Sequence, residues 1–467
     1  MPTVVRAPVL QTPTSTSLEV MLDAVIAVDD RGTITAVEPA ASVAGSALLR
    51  TVTSDATVDD GTSDRGATGG GPNRPRFVRV PEGRWLLPGL VDLHVHAPQW
   101  PQLGTGLDLP LERWLFEYTF PLEARYADIE FAVRVWDHLV PSLLAHGTTT
   151  AVYYGTVHAA ATLALAAACL RSGQRAFVGR VAMDHPVGTP EWYRDPSATA
   201  GISASAESVR AIRELAGPDE LVRPIITPRF APACTDALLE GLGELATSTG
   251  ALVQTHCSES DWQHGHAQER FGTTDLEALA RFGLAREHSV LAHATLLGDA
   301  EFPSAARLGV GIAHCPVSNA FFGNAVFPVR RALDSGVRVG LGSDVAGGAH
   351  PGLLHNASAA VTVSRLLDDG VDQRLGAGER GVPGSSIDAV AAFWLATLGG
   401  ADVLGLPIGL LAPGRQFDAF VVDTTGEMSA LRSWSEVDDP ARIFEKIVHL
   451  AGPSEITDVW VAGRQVR

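Results

Sequence analysis

The chain has 467 residues, with 53 acidic and 35 basic side chains and a formal net charge of −18 at pH 7. This acidic balance disfavours a nucleic-acid polymer or an anionic membrane as partner, because both carry negative charge. With 46% hydrophobic and 19% charged residues, the composition is typical of a soluble globular protein that can bury a large core.

The compartment is inferred from the N-terminus and the cysteines. Residues 1–20 contain no uninterrupted apolar stretch of the kind found in secretory signals. No segment reaches the roughly 20 apolar residues that a membrane helix needs. Since the four cysteines are scattered without a CxxC pair, we expect free thiols in a reducing cytoplasm.

Lys446 is the single lysine of the chain. The sequence therefore disfavours chemistry that depends on lysine, such as a Schiff base, a phosphate-binding P-loop or a carboxylated lysine that bridges two metals. If a metal site exists, we expect it to be mononuclear.

In chain order, residues 1–86 begin with short alternating strands, which predict the first part of a small β-domain. Within it, residues 51–75 are rich in Thr, Ser, Asp and Gly and are interpreted as a flexible surface insertion. Residues 401–467 return to strand alternation and predict the second part of the same β-domain.

Residues 87–400 repeat a strand-then-helix pattern, which indicates parallel βαβ units. Eight such units close most simply as a TIM-like (β/α)8 barrel, so we predict an α/β fold with the barrel inserted into the small β-domain. The predicted strands are 90–96, 148–154, 176–183, 222–230, 251–257, 289–294, 310–315 and 338–343.

Potential metal ligands stand at the ends of four predicted strands: His94 and His96, His256, His293 and Asp344. In a barrel the carboxyl ends of all strands meet at one face, so these side chains are expected to converge. His94 and His96 point the same way because side chains alternate along a strand. Such a set describes a catalytic metal site with an open position.

The spacing alone is not specific, because a second HxH occurs at His264 and His266. That pair lies in a polar stretch broken by glycine, where a solvated loop or a helix start is the better interpretation. Zn²⁺ at His94, His96, His256 and Asp344 would lower the pKa of a water toward ~7. Whether His293 also binds the metal stays open at this point.

Three residues are candidates for proton transfer. Glu259 follows His256 by three residues and could carry a proton to a leaving group or ring nitrogen, although an exposed loop glutamate is the plainer alternative. His293 and Asp344 would hydrogen-bond the attacking water, with Asp344 taking its proton.

Substrate contacts are predicted at the same barrel end. Arg229 ends a predicted strand, and the forked N–H donors of its guanidinium match a carbonyl oxygen beside a ring nitrogen. Gln99 offers both a donor and an acceptor for a ring edge. A stacking wall could come from three aromatic residues, although core packing is the favoured interpretation for each taken singly: Trp100, Trp114 and Phe230.

Residues 89–466 resemble the amidohydrolase superfamily and, within it, the guanine deaminases. The resemblance rests on blocks that follow one another in order: PGLVDLHVHAPQW, LDLPLERWLFEYTFPLEARYAD, ITPRF, THCSES, VLAHATLL and GLGSDVAGG. Two departures stand out: Val317 where an asparagine is expected, and the stretch FFGNAVFP that follows it. The insertion at 51–75 is also private to this chain.

The resemblance implies one zinc per subunit, bound by His94, His96, His256 and Asp344, and a homodimer. It implies that Glu259 carries protons. It also implies that the pocket holds guanine through Gln99, Arg229 and Phe230, beside His256, Glu259 and Asp344.

The resulting hypothesis is hydrolytic deamination of guanine to xanthine and ammonia, in purine catabolism or salvage. A cytidine-deaminase type of site is disfavoured because its H-x-E…P-C-x-x-C signature is absent from the sequence. Two alternatives remain: deamination of another amino-substituted ring, such as 8-oxoguanine, another aminopurine or an aminotriazine, or a catalytically inactive barrel that serves as a binding scaffold.

Overall fold

The computed structural model describes residues 2–53, 75–323 and 325–467. The strands in this part of the chain are β1 (Thr3–Thr14), β2 (Ser17–Val28), β3 (Ile34–Pro39), β4 (Arg76–Arg79), β5 (Arg84–Pro88), β6 (Leu90–His96), β7 (Thr148–Tyr154), β8 (Arg175–Gly179), β9 (Val181–Ala182), β10 (Val222–Pro228), β11 (Leu252–Cys257), β12 (Val290–His293), β13 (Gly311–His314), β14 (Arg338–Leu341), β15 (Ala419–Asp423), β16 (Ile456–Val461) and β17 (Arg464–Gln465).

The α-helices are α1 (Val43–Thr53), α2 (Leu111–Trp114), α3 (Phe120–Ala124), α4 (Ile129–Ala145), α5 (Ala159–Ser172), α6 (Ala198–Ala216), α7 (Asp236–Thr249), α8 (Asp261–Phe271), α9 (Asp275–Arg281), α10 (Phe302–Leu308), α11 (Pro316–Ser318), α12 (Val329–Asp334), α13 (Leu353–Asp369), α14 (Ala389–Trp394), α15 (Gly400–Leu404) and α16 (Pro440–Leu450). A π-helical turn, Leu115–Thr119, joins α2 to α3, so residues 111–124 form one helical segment.

The central sheet is parallel, in the order β14-β13-β12-β11-β10-β8-β7-β6, with β9 beside β10. Backbone hydrogen bonds join its two edges, from Asp344 N to His94 O (2.8 Å) and from His96 N to Val345 O (2.9 Å). Strands such as β6 and β7 are buried along their whole length because helices cover the sheet outside and side chains fill it inside. The predicted (β/α)8 barrel is confirmed.

The second sheet has eight strands from both ends of the chain, in the order β17-β16-β15-β5-β1-β2-β3, with β4 paired to β1. It packs against the barrel, where Arg175 of β8 forms a two-point ion pair with the buried Asp418 at 3.1 Å for each contact. The terminal β-domain is therefore present as predicted. The division at residues 86 and 401 stays a prediction.

Several predicted strand boundaries are corrected by one or two residues. The strand predicted at 176–183 breaks at Arg180, whose guanidinium turns to the buried Asp195. Strand β10 ends at Pro228, so Arg229 and Phe230 follow the strand instead of ending it. Helix α1, which the pattern did not predict, includes residues 51–53 of the proposed insertion; residues 54–74 lie outside the described residues.

Across the described ranges, no helix is long and apolar enough to cross a membrane. All four cysteines are free and buried, which agrees with the expectation of reduced thiols.

Candidate active site

Four barrel strands bring the predicted metal ligands together at one end. His94 and His96 belong to β6, His256 to β11 and His293 to β12, while Asp344 follows β14. Nitrogen and oxygen atoms of these side chains form overlapping groups in which all atoms lie within 4.8 Å of one another. The convergence predicted from the strand ends is what the barrel produces.

We call His94, His96, His256 and Asp344 the donor cluster. His96 Nε2 and His256 Nε2 are 2.9 Å apart, and Asp344 Oδ1 lies 3.1 Å from His94 Nε2 and 3.6 Å from His96 Nε2. All four side chains are at least 94% buried. One cation could therefore be reached by three imidazoles and a carboxylate at the same time.

The chemistry of the donor cluster fits a divalent cation. Burial and neighbouring positive groups hold the pKa values of His94 and His96 well below the ordinary histidine value, so both rings are neutral and offer lone pairs. His94 Nε2 is fully buried and lies 3.1 Å from Asp344 Oδ1, yet it makes no hydrogen bond of good geometry among the described residues. An orphaned buried nitrogen of this kind is explained when an ion takes its lone pair.

The backbone around the cluster is strained. Ser258, His293, Ala294 and Asp344 have φ values of +46°, +69°, +50° and +49°, in the left-handed region that side chains other than glycine rarely adopt. Such conformations persist where the surroundings over-determine them, which is common at functional sites. Here they turn the chain just past the ends of β11, β12 and β14.

His293 ends β12 beside Glu259 and Asp344. Its Nδ1 is 2.9 Å from Asn319 Oδ1, so Nδ1 carries the proton and Nε2 is the free nitrogen. That Nε2 lies 3.6 Å from Glu259 Oε1 and 4.0 Å from Asp344 Oδ2. Nε2 of His293 is thus placed to accept a hydrogen bond from a donor that lies between the carboxyl groups of Glu259 and Asp344.

Glu259 is buried in the pocket instead of exposed on a loop. Burial, and then the nearby charge of Asp344, raise the pKa of Glu259 well above its ordinary value. A raised pKa makes a carboxyl better suited to donate a proton and take it back.

A pocket opens directly on the donor cluster. It is lined by His96, Gln99, Leu111, Trp114, Leu115, Arg229, Phe230, His256, Glu259, Phe322, Asp344 and Gly347. Four of the predicted substrate contacts, Gln99, Trp114, Arg229 and Phe230, are therefore brought to the same cavity as Glu259 and Asp344.

Trp100, the fifth predicted aromatic or polar contact, is placed elsewhere. Its Nε1 donates to His138 Nδ1 at 2.9 Å, and the two rings lie 5.7 Å apart. Trp100 is not among the residues that line the pocket, so its assignment to the stacking wall is corrected.

Two pocket features escaped prediction from sequence. Glu123 is fully buried and accepts hydrogen bonds from Arg229 and Gln99. Phe322, from the stretch FFGNAVFP that departs from the family pattern, completes the wall with its ring 5.1 Å from that of Trp114. The block containing Glu123 carries the family resemblance, but no periodicity or strand end marked that residue.

A second layer holds the loop that carries Glu259. Gln263 donates through Nε2 to His256 O (3.1 Å) and to Asp275 Oδ2 (2.6 Å), and the same carboxylate oxygen accepts from Ser258 N (2.9 Å). Both supporting side chains are fully buried. They tie the turn at Ser258 to the first turn of α9.

The other HxH pair takes no part in the donor cluster. His264 and His266 lie in the first half of α8, where His264 Nδ1 faces Ser258 Oγ at 3.3 Å. The interpretation of this stretch as a helix start is confirmed.

A parallel barrel whose strand ends bring three imidazoles, a carboxylate and a buried acid to one pocket defines the class of metal-dependent hydrolases. The model of the amidohydrolase family matches residues 85–466, and the chain belongs to this family.

Known relatives agree with this assignment. A probable guanine deaminase of Schizosaccharomyces pombe is 37% identical over 391 residues, which cover 82% of this chain and 71% of that protein. The guanine deaminase of Dictyostelium discoideum is 34% identical over 406 residues, which cover 86% of each chain. The crystal structure of a guanine deaminase from C. acetobutylicum with bound guanine superposes with a TM-score of 0.82 at 26% identity, covering 100% of both chains.

Proposed function

We propose that this protein is a zinc-dependent guanine deaminase that converts guanine and water to xanthine and ammonia in purine catabolism. The observation that carries the proposal is the pocket that Arg229 and Gln99 line together with Glu259 and Asp344. Arg229 and Gln99 suit an oxopurine edge, and the two carboxyl groups supply proton transfer beside a metal-binding set. The names of the relatives support the same substrate.

One zinc ion per subunit would be held by His94, His96, His256 and Asp344. When bound, zinc would supply a nucleophile at neutral pH by lowering the pKa of a water toward ~7. Three nitrogen donors and one carboxylate suit zinc among the divalent metals. The metal requirement belongs to the proposal.

The pocket residues bind and orient the base. Arg229 donates to the carbonyl oxygen and the adjacent ring nitrogen, and Gln99 holds a second ring position. Phe230, 3% exposed, and Trp114 offer aromatic surfaces against the ring faces. This placement would direct C2 and its amino group toward Glu259 and Asp344.

Proton transfers then follow from the two carboxyl groups. Glu259 gives its proton to the ring nitrogen beside C2 as the water oxygen bonds to that carbon, and Asp344 takes the water proton. His293 accepts a hydrogen bond from the same water. Asp344 then returns its proton to the amino nitrogen as the bond between C2 and that nitrogen breaks and ammonia leaves, and Glu259 takes the hydroxyl proton as the C2 carbonyl forms.

A substrate panel tests the proposal. Purified, metal-assayed protein is followed by ultraviolet absorbance with guanine, adenine, 8-oxoguanine and cytosine, with ammonia release measured in parallel. Conversion of guanine to xanthine alone is the expected result. Activity on a different base would discard the proposed use of Arg229, and zinc-loaded protein that releases no ammonia from any base would contradict the proposal and favour the triazine or scaffold alternatives.

We further propose that the enzyme works as a homodimer in the cytoplasm. The buried free thiols suit a reducing compartment. Light scattering of the purified protein checks the dimer, and a mass equal to one chain would contradict it.

A further inference from the structure

Glu123 lies behind the pocket, where it joins the two polar residues expected to read the base. Its carboxylate is fully buried and accepts three hydrogen bonds: Arg229 Nη1 to Oε2 at 2.6 Å, Arg229 Nη2 to Oε1 at 3.1 Å, and Gln99 Nε2 to Oε1 at 3.0 Å. Glu123 comes from α3, in the same helical segment as the wall residues Leu111 and Trp114. One carboxylate therefore couples the wall to both polar contacts.

The bond to Glu123 determines which way the Gln99 amide faces. Gln99 Oε1 accepts from Ala346 N at 3.1 Å while its Nε2 donates to the carboxylate. A flipped amide would set two acceptors against each other at Glu123 and two donors against each other at Ala346. The orientation of Gln99 is thus set from both ends.

The same carboxylate determines which edge of Arg229 is left for a ligand. Glu123 accepts one hydrogen bond from each of the two Nη atoms of Arg229. The side edge of the guanidinium, formed by Nε–H and the second N–H of Nη2, is therefore left for a ligand, and no acceptor among the described residues contacts Nε. The ring of Phe120 lies 4.9 Å from the guanidinium carbon and supports it from one face. Two parallel N–H donors result, which match a carbonyl oxygen next to an unprotonated ring nitrogen.

We propose that Glu123 is a positioning residue that determines base specificity. It holds Arg229 and Gln99 so that the pocket accepts a carbonyl beside a ring nitrogen and rejects an amino group at the carbonyl position, where donors would face donors. It also offsets the charge of a guanidinium that is 2% exposed. This role of Glu123 rests on the proposed function, which supplies guanine as the natural substrate.

The test compares guanine with 2,6-diaminopurine, which keeps the 2-amino group and replaces the carbonyl oxygen with an amino group. In Glu123→Gln, one of the donor groups of Arg229 or Gln99 faces the amide N–H of the new side chain and loses its acceptor. The kcat/KM for guanine should therefore fall about 10- to 100-fold, mainly through a higher KM. The preference for guanine over 2,6-diaminopurine should fall by about tenfold or more. Glu123→Asp keeps the charge on a shorter side chain and should give an intermediate loss, with metal content unchanged in both.

Asp195→Asn is the matched control. It removes a buried carboxylate from another buried arginine, Arg180, without touching Gln99 or Arg229. This control should lower Tm but keep the preference between the two bases. A Glu123→Gln enzyme whose preference stays within twofold of wild type, or changes only as much as Asp195→Asn, would overturn the inference.

Calorimetric binding of hypoxanthine and adenine separates this inference from the proposed function, because neither measurement needs turnover. Wild type should bind hypoxanthine more tightly than adenine, and Glu123→Gln should shrink that difference. Wild type that shows this preference but does not deaminate guanine would refute the proposed function alone. Equal preference in wild type and Glu123→Gln would refute the role of Glu123 alone.

Discussion

The pocket is built by two regions with different supports. The donor cluster lies at the ends of barrel strands, whose backbones are hydrogen-bonded to neighbours on both sides. The facing side, which we call the base wall, consists of Gln99, Leu111, Trp114 and Leu115, all on the connection between β6 and α4. We therefore expect the two regions to have different roles. Changes in the donor cluster should lower kcat, and changes in the base wall should raise KM or alter the choice of base.

The largest effect is expected from metal removal. Stripping the protein with a chelator should lower turnover roughly 10⁴-fold or more, because water at neutral pH is a poor nucleophile without a metal to lower its pKa. Turnover should return in proportion to zinc added back, with circular dichroism showing that the fold survived. Full turnover in protein shown to lack metal would contradict the role of the donor cluster.

Glu259→Gln should come next, with kcat lowered on the order of 10³-fold because the amide cannot carry the proton. Metal content and the binding constant for guanine should stay near wild type, which separates proton transfer from binding. Glu269→Gln, an exposed glutamate on α8, is the matched control and should leave kcat unchanged. Turnover that survives in Glu259→Gln would remove this residue from the mechanism.

Asp275→Ala tests the layer behind Glu259. The change removes the carboxylate oxygen that accepts from both Ser258 N and Gln263 Nε2, so two buried donors lose this acceptor. We therefore expect kcat to fall about tenfold and the free energy of unfolding to drop by about 1–3 kcal/mol. Stopped-assay kinetics and denaturant unfolding measure the two effects. Asp236→Ala, at an exposed ion pair with Arg270, should change neither; equal losses in both variants would show that Asp275 has no special link to the site.

The smallest effect is expected at the base wall. Trp114→Leu removes an aromatic surface and should raise KM for guanine about 3- to 10-fold with kcat unchanged. Trp100→Leu is its control, because that indole contacts His138 instead of the pocket. If the Trp100 variant raised KM as much as the Trp114 variant, the division between the two regions would fail.

The donor cluster was predictable because its signal is local. A buried strand that stops on a metal-binding side chain can be recognised one strand at a time, and barrel geometry then brings the ends of β6, β11 and β14 together. Glu259 was predictable for a related reason, since it follows His256 by three residues. The burial of Glu259, and the resulting rise of its pKa, were not predictable from the sequence.

The base wall was only partly predictable because it is not built on strands. Trp100 and Trp114 have the same chemistry and lie on the same connection, yet the turn of the chain after β6 sends one to α4 and the other to the pocket. Residue type gave no reason to choose between them. Phe322, whose ring packs against Trp114 of this wall, comes from a stretch that departs from the family pattern.

The sequence by itself determined the barrel, the β-domain from both chain ends and the residues that could bind a metal, because each depends on short-range periodicity and on where a strand stops. Only the tertiary structure decided that Glu123, more than 100 residues before Arg229 in the chain, would pair with it and with Gln99. A carboxylate on a helix is ordinarily solvated. What makes this one different is the packing of residues 111–124 at the barrel mouth, which buries it against the three donor groups of Arg229 and Gln99.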